Sequence, residues 1–212
     1  MDRKTKTAEI LKRLKKEYTG KPSTMLRFTT PLELLVATIL SAQTTDVLVN
    51  KVTLPLFQKY RTAGDYAKTP PGEIALDIRS VNFYNTKAKN IHRMANLLQE
   101  KFGGMVPRTM EELVTLPGVA RKTANIVLSA AFGIREGIAV DTHVTRLANR
   151  LGLTKQQDPV KIEQDLMAVT PKKDWGNLAY LLIFHGRAVC RAKKPDHGAC
   201  VLFDICPSRN IP

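Results

Sequence analysis

The sequence predicts an all-α protein, and two observations support this fold class. Apolar residues recur with the 3.6-residue period of an amphipathic helix along most of the 212 residues. No segment shows the alternation of apolar and polar residues that is typical of a half-buried strand. Hydrophobic residues make up 43% of the chain, which is ample for a buried core in one compact domain or two packed lobes.

Start and stop signals divide the first half of the chain into helices. Gly20–Pro22 ends the first helix, and Thr30 followed by Pro31 supplies an N-cap and a first-turn proline for the second. The pair Gly103–Gly104 ends the fifth helix, while residues 65–67 are expected to form only a short turn. The helices predicted in this half are 7–18, 31–42, 45–60, 71–79 and 86–102.

The second half of the chain is predicted to contain five further helices, two of which are joined by a tight turn at Pro117–Ala120. Gly118 permits the reversal of the chain, and Val119 is an apolar side chain suited to pack between the two helices. The helices predicted here are 109–116, 121–132, 141–151, 159–169 and 173–187.

The charge of the chain indicates a polyanionic partner. There are 33 Lys and Arg against 19 Asp and Glu, a formal net charge of +14. Nucleic acid is the usual partner of such a basic protein, and the alternative is a merely solvated basic surface. The first residues lack the apolar stretch of a secretory signal, and no apolar run is long enough to span a bilayer. We therefore expect a cytoplasmic protein with no membrane role.

The three cysteines indicate a metal site. Cys190, Cys200 and Cys206 all fall near the C-terminal end of the sequence. An odd number of cysteines crowded together, without a secretion signal, is not typical of a disulfide framework.

The hairpin at residues 113–124 is a candidate DNA-binding element. The start of its second helix offers free backbone N–H groups and the positive end of the helix dipole. Such an end binds a DNA phosphate without reading sequence, and Arg121 adds positive charge beside it. Many helical proteins contain a similar turn, so the hairpin alone does not define a function.

Lys122 and Asp141 are the candidate catalytic residues. A lysine one turn into a helix is ordinarily a solvated surface residue, and Asp141 can simply be the N-cap of the helix that follows it. A capping aspartate is also rigid and ionised, so both roles are compatible.

Several motifs together closely resemble the endonuclease III family, in the helix–hairpin–helix DNA glycosylase superfamily. The resemblance runs from about residue 25 to 207. Its motifs are Leu40–Asp46, Phe83–Ala88, Leu116–Ala124, Ala139–His143 and the C-terminal ligand spacing Cys190-x6-His197-x2-Cys200-x5-Cys206. It implies a six-helix barrel domain at 24–134, with the helix–hairpin–helix at about 109–132. It also implies a second helical domain at 1–23 plus 135–212, with a metal-cluster loop at 190–206.

The resemblance implies a bifunctional glycosylase and lyase. Lys122 would attack C1′ of the damaged nucleotide, expel the base and form a Schiff base, after which β-elimination breaks the strand. The lysine must be uncharged to attack, so we expect partial burial and basic surroundings. Asp141 would stabilise positive charge developing on the sugar. Relatives without a lysine at this position only remove bases.

The resemblance also assigns residues that open the duplex. A base must leave the stack before it can react. Gln43 would fill the vacated space, the alternative being an ordinary helix end, and Asn82 with Phe83 would form a wedge, the alternative being a buried core phenylalanine. Ala120 replaces the second glycine that is usual in the family's hairpin. If its φ is positive, alanine is strained by about 1 kcal/mol or more. If the position is ordinary helix, Ala120 instead improves the start of the second helix.

The C-terminal spacing carries a [4Fe–4S] cluster on four cysteines in the family, but this chain has His197 at the second position. Imidazole can bind an iron–sulfur cluster. A set of three cysteines and one histidine also suits zinc, and a labile or incomplete cluster without His197 is a third possibility. The site would pin a loop whose cations contact DNA phosphates, namely Arg187, Arg191, Lys193 and Lys194.

The sequence is also compatible with two other functions. One is a non-catalytic helix–hairpin–helix DNA-binding protein, in which Lys122 only contacts phosphate. The other is a mismatch-specific glycosylase of the same superfamily, against which Lys122 argues. Under the favoured interpretation, a monomer binds double-stranded DNA that contains damaged bases or abasic sites, in association with the nucleoid. Oxidised pyrimidines such as thymine glycol are its expected substrates.

Overall fold

The computed structural model describes residues 2–21 and 24–210, and within these ranges regular structure is entirely helical. The predicted all-α fold class is therefore confirmed. The helices are α1 Arg3–Glu17, α2 Pro31–Ser41, α3 Asp46–Lys59, α4 Ala63–Lys68, α5 Pro71–Asp77, α6 Tyr84–Phe102, α7 Met110–Leu113, α8 Arg121–Phe132, α9 Thr142–Arg150, α10 Pro159–Val169 and α11 Trp175–Ala188. Two short 3₁₀ turns lie at Lys172–Asp174 and Phe203–Ile205.

The chain divides into two compact units. The unit Thr24–Ile134 contains α2 to α8 and has its own apolar core. Within it, α2 packs against α3, α6 and α8, and α6 also packs against α4 and α5. Seven consecutive residues of α2 are buried, from Leu34 to Leu40, which explains why this helix is apolar on all sides.

The second unit combines Met1–Ser23 with Arg135–Pro212. Its core is built from α1, α9, α10 and α11, with Leu202 from the cysteine-containing segment. Ile10, Leu11 and Leu14 form the buried face of α1 in this core. Pro22, predicted as part of the helix stop, lies outside the described residues.

Several predicted boundaries are wrong, and two of the differences have a local cause. The first helix begins at Arg3 rather than residue 7, because the Asp2 side chain accepts hydrogen bonds from the backbone amides of Lys4 and Thr5. The segment predicted as a turn is the helix α4, which a capping box at Thr62 and Asp65 starts. The predicted helix 109–116 shortens to the single turn α7.

In the described part of the chain, no helix combines the length and the apolar character that crossing a membrane requires.

Candidate DNA-binding and catalytic residues

The turn between α7 and α8 has the geometry that the hairpin motif predicts. Gly118 has a φ of +82°, and a Cβ at this position would lie 3.2 Å from the Cβ of Asn90, so both backbone conformation and space favour glycine. The Val119 amide donates to the Leu116 carbonyl at 3.1 Å, which closes the turn. The Val119 side chain is buried in the apolar core, as predicted.

Ala120 occupies the N-cap position of α8 in an extended conformation, with a φ of −89° and a ψ of 168°. The strain that a positive φ would impose on alanine is therefore not present. The residue also lies outside the helix interior, so alanine gains nothing from its helix propensity there. Its methyl side chain makes no cap hydrogen bond to the first turn of α8.

Lys122 is the second residue of α8, and its side chain is exposed. The partial burial predicted for it is not found. The buried residues of this helix are Ala124, Asn125, Val127 and Leu128, and this periodicity places position 122 away from the core. The neighbouring Arg121 is exposed as well. The Lys122 side chain therefore lies at the start of α8 and is open to solvent.

Asp141 is the N-cap of α9, as its position in the sequence predicts. Its Oδ1 atom accepts a hydrogen bond of 2.8 Å from the Val144 amide, and the residue is half-buried. The cap fixes the carboxylate at the positive end of the helix, where a negative charge is favoured. A rigid, charged oxygen is thereby held beside the first turn of α9.

A cluster that no sequence motif indicates lies at the C-terminal end of α11. The Nη2 atom of Arg146 donates to the carbonyls of Gly186 at 3.0 Å and Cys190 at 3.1 Å, and lies 3.2 Å from Nδ1 of His143. A Cβ at Gly186 would approach Arg146, Leu147 and His143 within 3.0 to 3.1 Å, so only glycine leaves room for this contact. Burial lowers the pKa of His143, while the nearby Asp141 carboxylate opposes this shift.

Gln43, predicted to fill the space of the flipped base, and Phe83, predicted to act as a wedge, share an unusual backbone conformation. Gln43 and Phe83 both have positive φ angles, 55° and 59°, although neither is glycine. Phe83 is 62% exposed, so its alternative interpretation as a core residue is wrong. Gln43 is also exposed, and its carbonyl accepts a hydrogen bond from Nδ2 of Asn82. Residues in such sparsely populated conformations are typical of functional sites.

One cavity in the second unit brings the predicted metal ligands together. Cys190, Cys200, Cys206 and His197 all line it. Burial raises the pKa of the Cys200 and Cys206 thiols. The His197 ring stands edge-on to Phe203, with 5.7 Å between the ring centroids. Spacing in the sequence thus corresponds to proximity in the fold.

Two further side chains contact the cysteines, and the sequence pattern indicates neither of them. An Nη1 atom of Arg150 lies 3.3 Å from Sγ of Cys190. Nε2 of His185 lies 3.5 Å from Sγ of Cys200, and Nδ1 of the same ring lies 3.0 Å from the Tyr18 hydroxyl. Burial lowers the pKa of His185 to about 4, so its ring is neutral at neutral pH.

The basic loop that follows Cys190 is held by Arg150. The guanidinium donates to the carbonyls of Arg191 at 2.7 Å and Ala192 at 3.0 Å. These two solvent-exposed hydrogen bonds connect the backbone of the loop to α9. The predicted DNA-contacting cations of this region are all exposed, namely Arg187, Arg191, Lys193 and Lys194.

Comparison with known proteins defines the class of protein that this fold and these residues belong to. The family model of the HhH-GPD superfamily of base excision DNA repair proteins matches residues 36–172. The chain is 54% identical over 206 residues to endonuclease III of Synechocystis sp. (strain ATCC 27184 / PCC 6803 / Kazusa), with 97% of this chain and 94% of that relative covered. It is 50% identical to endonuclease III of Bacillus subtilis (strain 168), with 83% of this chain and 80% of the relative covered.

A solved structure gives the same result. The fold matches a trapped covalent intermediate of endonuclease III with DNA, in an estranged-adenine complex, with a TM-score of 0.92 and 43% identity. The match covers 99% of this chain and 98% of the other. The chain is thus a member of the HhH-GPD superfamily of base excision DNA repair proteins. Within that superfamily it belongs to the endonuclease III family. The predicted enzyme class, a DNA glycosylase with AP lyase activity, is confirmed by this membership.

Proposed function

We propose that this protein excises oxidised pyrimidines such as thymine glycol from double-stranded DNA and cleaves the strand at the resulting abasic site. The observation that carries the proposal is the exposed Lys122, the second residue of α8. The turn that precedes this helix contains Gly118 in a left-handed conformation. The protein acts as a monomer on the nucleoid, in the cytoplasm.

Lys122 supplies the nucleophile. Its neutral amine attacks C1′, the bond from C1′ to the base breaks, and the base leaves with the bonding electron pair and takes up a proton. Opening of the sugar ring converts the amine adduct into a Schiff base. Loss of a proton from C2′ then expels the 3′ phosphate, which breaks the strand. A covalent route of this kind divides one difficult step into easier ones.

Asp141 supplies a fixed negative charge. As the base departs, positive charge develops on the sugar, and a carboxylate that is already oriented stabilises it without reorganisation. The hydrogen bond from the Val144 amide holds one carboxylate oxygen in place and leaves the other available. This is the role that a second carboxylate has in glycoside hydrolysis.

The remaining residues hold the DNA open. Gln43 fills the space that the flipped base leaves, and Phe83, supported by Asn82, enters the base stack as a wedge. The turn of Gly118 and Ala120 and the first amides of α8 bind a phosphate, with Arg121 beside them. The exposed cations Arg187, Arg191, Lys193 and Lys194 add affinity that does not depend on sequence and weakens with salt.

Cys190, Cys200 and Cys206 hold a [4Fe–4S] cluster, with His197 as the fourth ligand. The donor set fits this group, because three thiols and one imidazole line a single cavity. Among the described residues, no three metal-binding side chains converge as one ion would require. A tetrahedral zinc ion needs sulfur atoms only about 3.8 Å apart, given zinc–sulfur bonds of about 2.3 Å. When bound, the cluster ties the basic loop to the rest of its unit.

We expect purified protein to contain about four iron atoms per chain and to absorb broadly in visible light, as a [4Fe–4S] protein does. Elemental analysis and absorption spectroscopy check this. Cys200→Ser should lose most of the iron, whereas His197→Cys should retain it longer in the presence of a chelator, since a thiolate replaces a neutral ligand. Zinc without iron in the purified protein would contradict the proposal.

Borohydride trapping tests the proposed reaction. Wild-type protein mixed with a duplex containing thymine glycol should give a covalent protein–DNA complex when the Schiff base is reduced. Mass spectrometry of the digested complex should place the DNA remnant on the peptide that contains Lys122. A duplex with an undamaged thymine is the control and should give no complex. An adduct on another residue would exclude Lys122 as the nucleophile.

A further inference from the structure

Lys87 is a buried lysine that the proposed reaction does not use. It lies in the first turns of α6, and only 5% of its surface is exposed. Its Nζ atom donates to the carbonyls of Leu40 at 2.7 Å and Ala42 at 2.6 Å, and to Oγ1 of Thr44 at 3.2 Å. An ammonium group has three protons, so these three oxygens satisfy it completely.

The Lys87 ammonium lies at the C-terminal end of α2. The last carbonyls of a helix lack partners within the helix and carry the negative end of its dipole. Burial lowers the pKa of Lys87, since water is removed from its charge. The three oxygen atoms accept hydrogen bonds from the ammonium in place of that water. A buried donor of this kind tolerates little movement of its acceptors. Lys87 therefore fixes the backbone at residues 40–44 relative to α6.

The same lysine also contacts the segment that carries Phe83. Its backbone amide donates to the Phe83 carbonyl at 3.0 Å, which forms the first hydrogen bond of α6. The Asn82 side chain makes a second connection, because its amide donates to the Gln43 carbonyl. Two side chains, Lys87 and Asn82, thus join the two segments.

Each of the two joined segments contains a non-glycine residue in the left-handed conformation. Gln43 and Phe83 have φ angles of 55° and 59°, which residues with a side chain rarely adopt. Such conformations persist only where the surrounding structure determines them. The hydrogen bonds of Lys87 and Asn82 provide that constraint on both segments.

We propose that Lys87 is a positioning residue, whose buried ammonium holds the segment of Gln43 against the start of α6 and so sets the separation of Gln43 and Phe83. The inference rests on the proposed roles of these two residues in opening the duplex. Because Lys87 is buried, it affects base excision only through the positions of Gln43 and Phe83. It thereby determines how far apart the side chains of Gln43 and Phe83 enter the DNA.

The test compares Lys87→Met with Lys89→Met, which removes an exposed lysine from the same helix. Because small misplacements of positioning groups cost up to about 100-fold in rate, Lys87→Met should lower thymine-glycol excision from duplex DNA roughly 10- to 100-fold. Cleavage of a single-stranded abasic oligonucleotide, which needs no duplex opening, should change little. Lys89→Met should leave both rates close to wild type. Equal losses on the two substrates for Lys87→Met would overturn the proposal.

A double-mutant cycle with Gln43→Ala separates this inference from the proposed function. If Lys87 acts through Gln43, the double variant should be no slower than the slower single variant, whereas independent effects would multiply. Multiplied effects would overturn the positioning role. If Gln43→Ala alone excises at the wild-type rate, the assigned role of Gln43 is wrong and the inference falls with it. If only Gln43→Ala is slow, Lys87 has no positioning role.

Thr44→Val provides a second variant should Lys87→Met not fold. It removes one of the three acceptors and leaves the lysine in place. Excision from duplex DNA should then fall several-fold while cleavage of the single-stranded abasic substrate persists. A wild-type rate on duplex DNA would contradict the proposal.

Discussion

Lys122→Ala is expected to lower both base excision and strand cleavage by at least about 1,000-fold, since removing a nucleophile eliminates the covalent route altogether. Binding to lesion-containing duplex should weaken only slightly, because one exposed cation contributes little to a surface with a net charge of +14. Single-turnover kinetics and a binding titration measure the two effects separately. Borohydride should trap no complex with this variant.

The matched control is Lys101→Ala, which removes an exposed lysine from the C-terminal turn of α6 in the same unit. Its excision rate should stay within about threefold of wild type, as is usual for a surface substitution away from a site. A non-catalytic DNA-binding protein would behave differently. There, Lys122→Ala would weaken binding and the wild-type protein would cleave nothing.

Asp141→Asn is expected to lower base excision by about 100- to 1,000-fold with little change in stability. Asparagine caps a helix about as well as aspartate, so the hydrogen bond to the Val144 amide can persist while the charge is lost. The loss in rate is that of removing one oriented electrostatic contact from a transition state. Excision kinetics and thermal unfolding of the same preparation measure both quantities.

Asp141→Ala provides the comparison for the capping role. It removes charge and cap together, so it should be about as slow as Asp141→Asn and also lose about 1 kcal/mol of unfolding free energy. If Asp141→Asn excised at the wild-type rate while Asp141→Ala were unstable, the residue would be a helix cap alone.

The helices and the hairpin could be predicted from the sequence because their causes are local. The boundaries of α8 and α10 agree with prediction to the residue, since Pro159 and a Gly-containing turn mark their starts. The N-cap role of Asp141 is equally local. The helix α4, which is predicted only as a turn, also has a local cause in the capping box of Thr62 and Asp65.

Other features depend on residues far apart in the chain. Lys87 would be expected on a surface from its sequence alone, yet three oxygens from residues 40–44 surround its ammonium. Phe83 is apolar and would suit a core, yet it is exposed in a left-handed conformation at the start of α6. Arg146, Arg150 and His185 likewise gain their contacts from segments that are distant in sequence.

The sequence by itself determined the helical fold class, the hairpin with its lysine, and the cysteine spacing that resembles the endonuclease III family. Periodicity, caps and turn residues act over a few positions, so they can be read along the chain. Only the tertiary structure decided which side chains are buried, which cations are held by carbonyl groups, and which residues share the cysteine cavity. Burial and hydrogen bonding between distant segments depend on packing, and packing is a property of the folded chain as a whole.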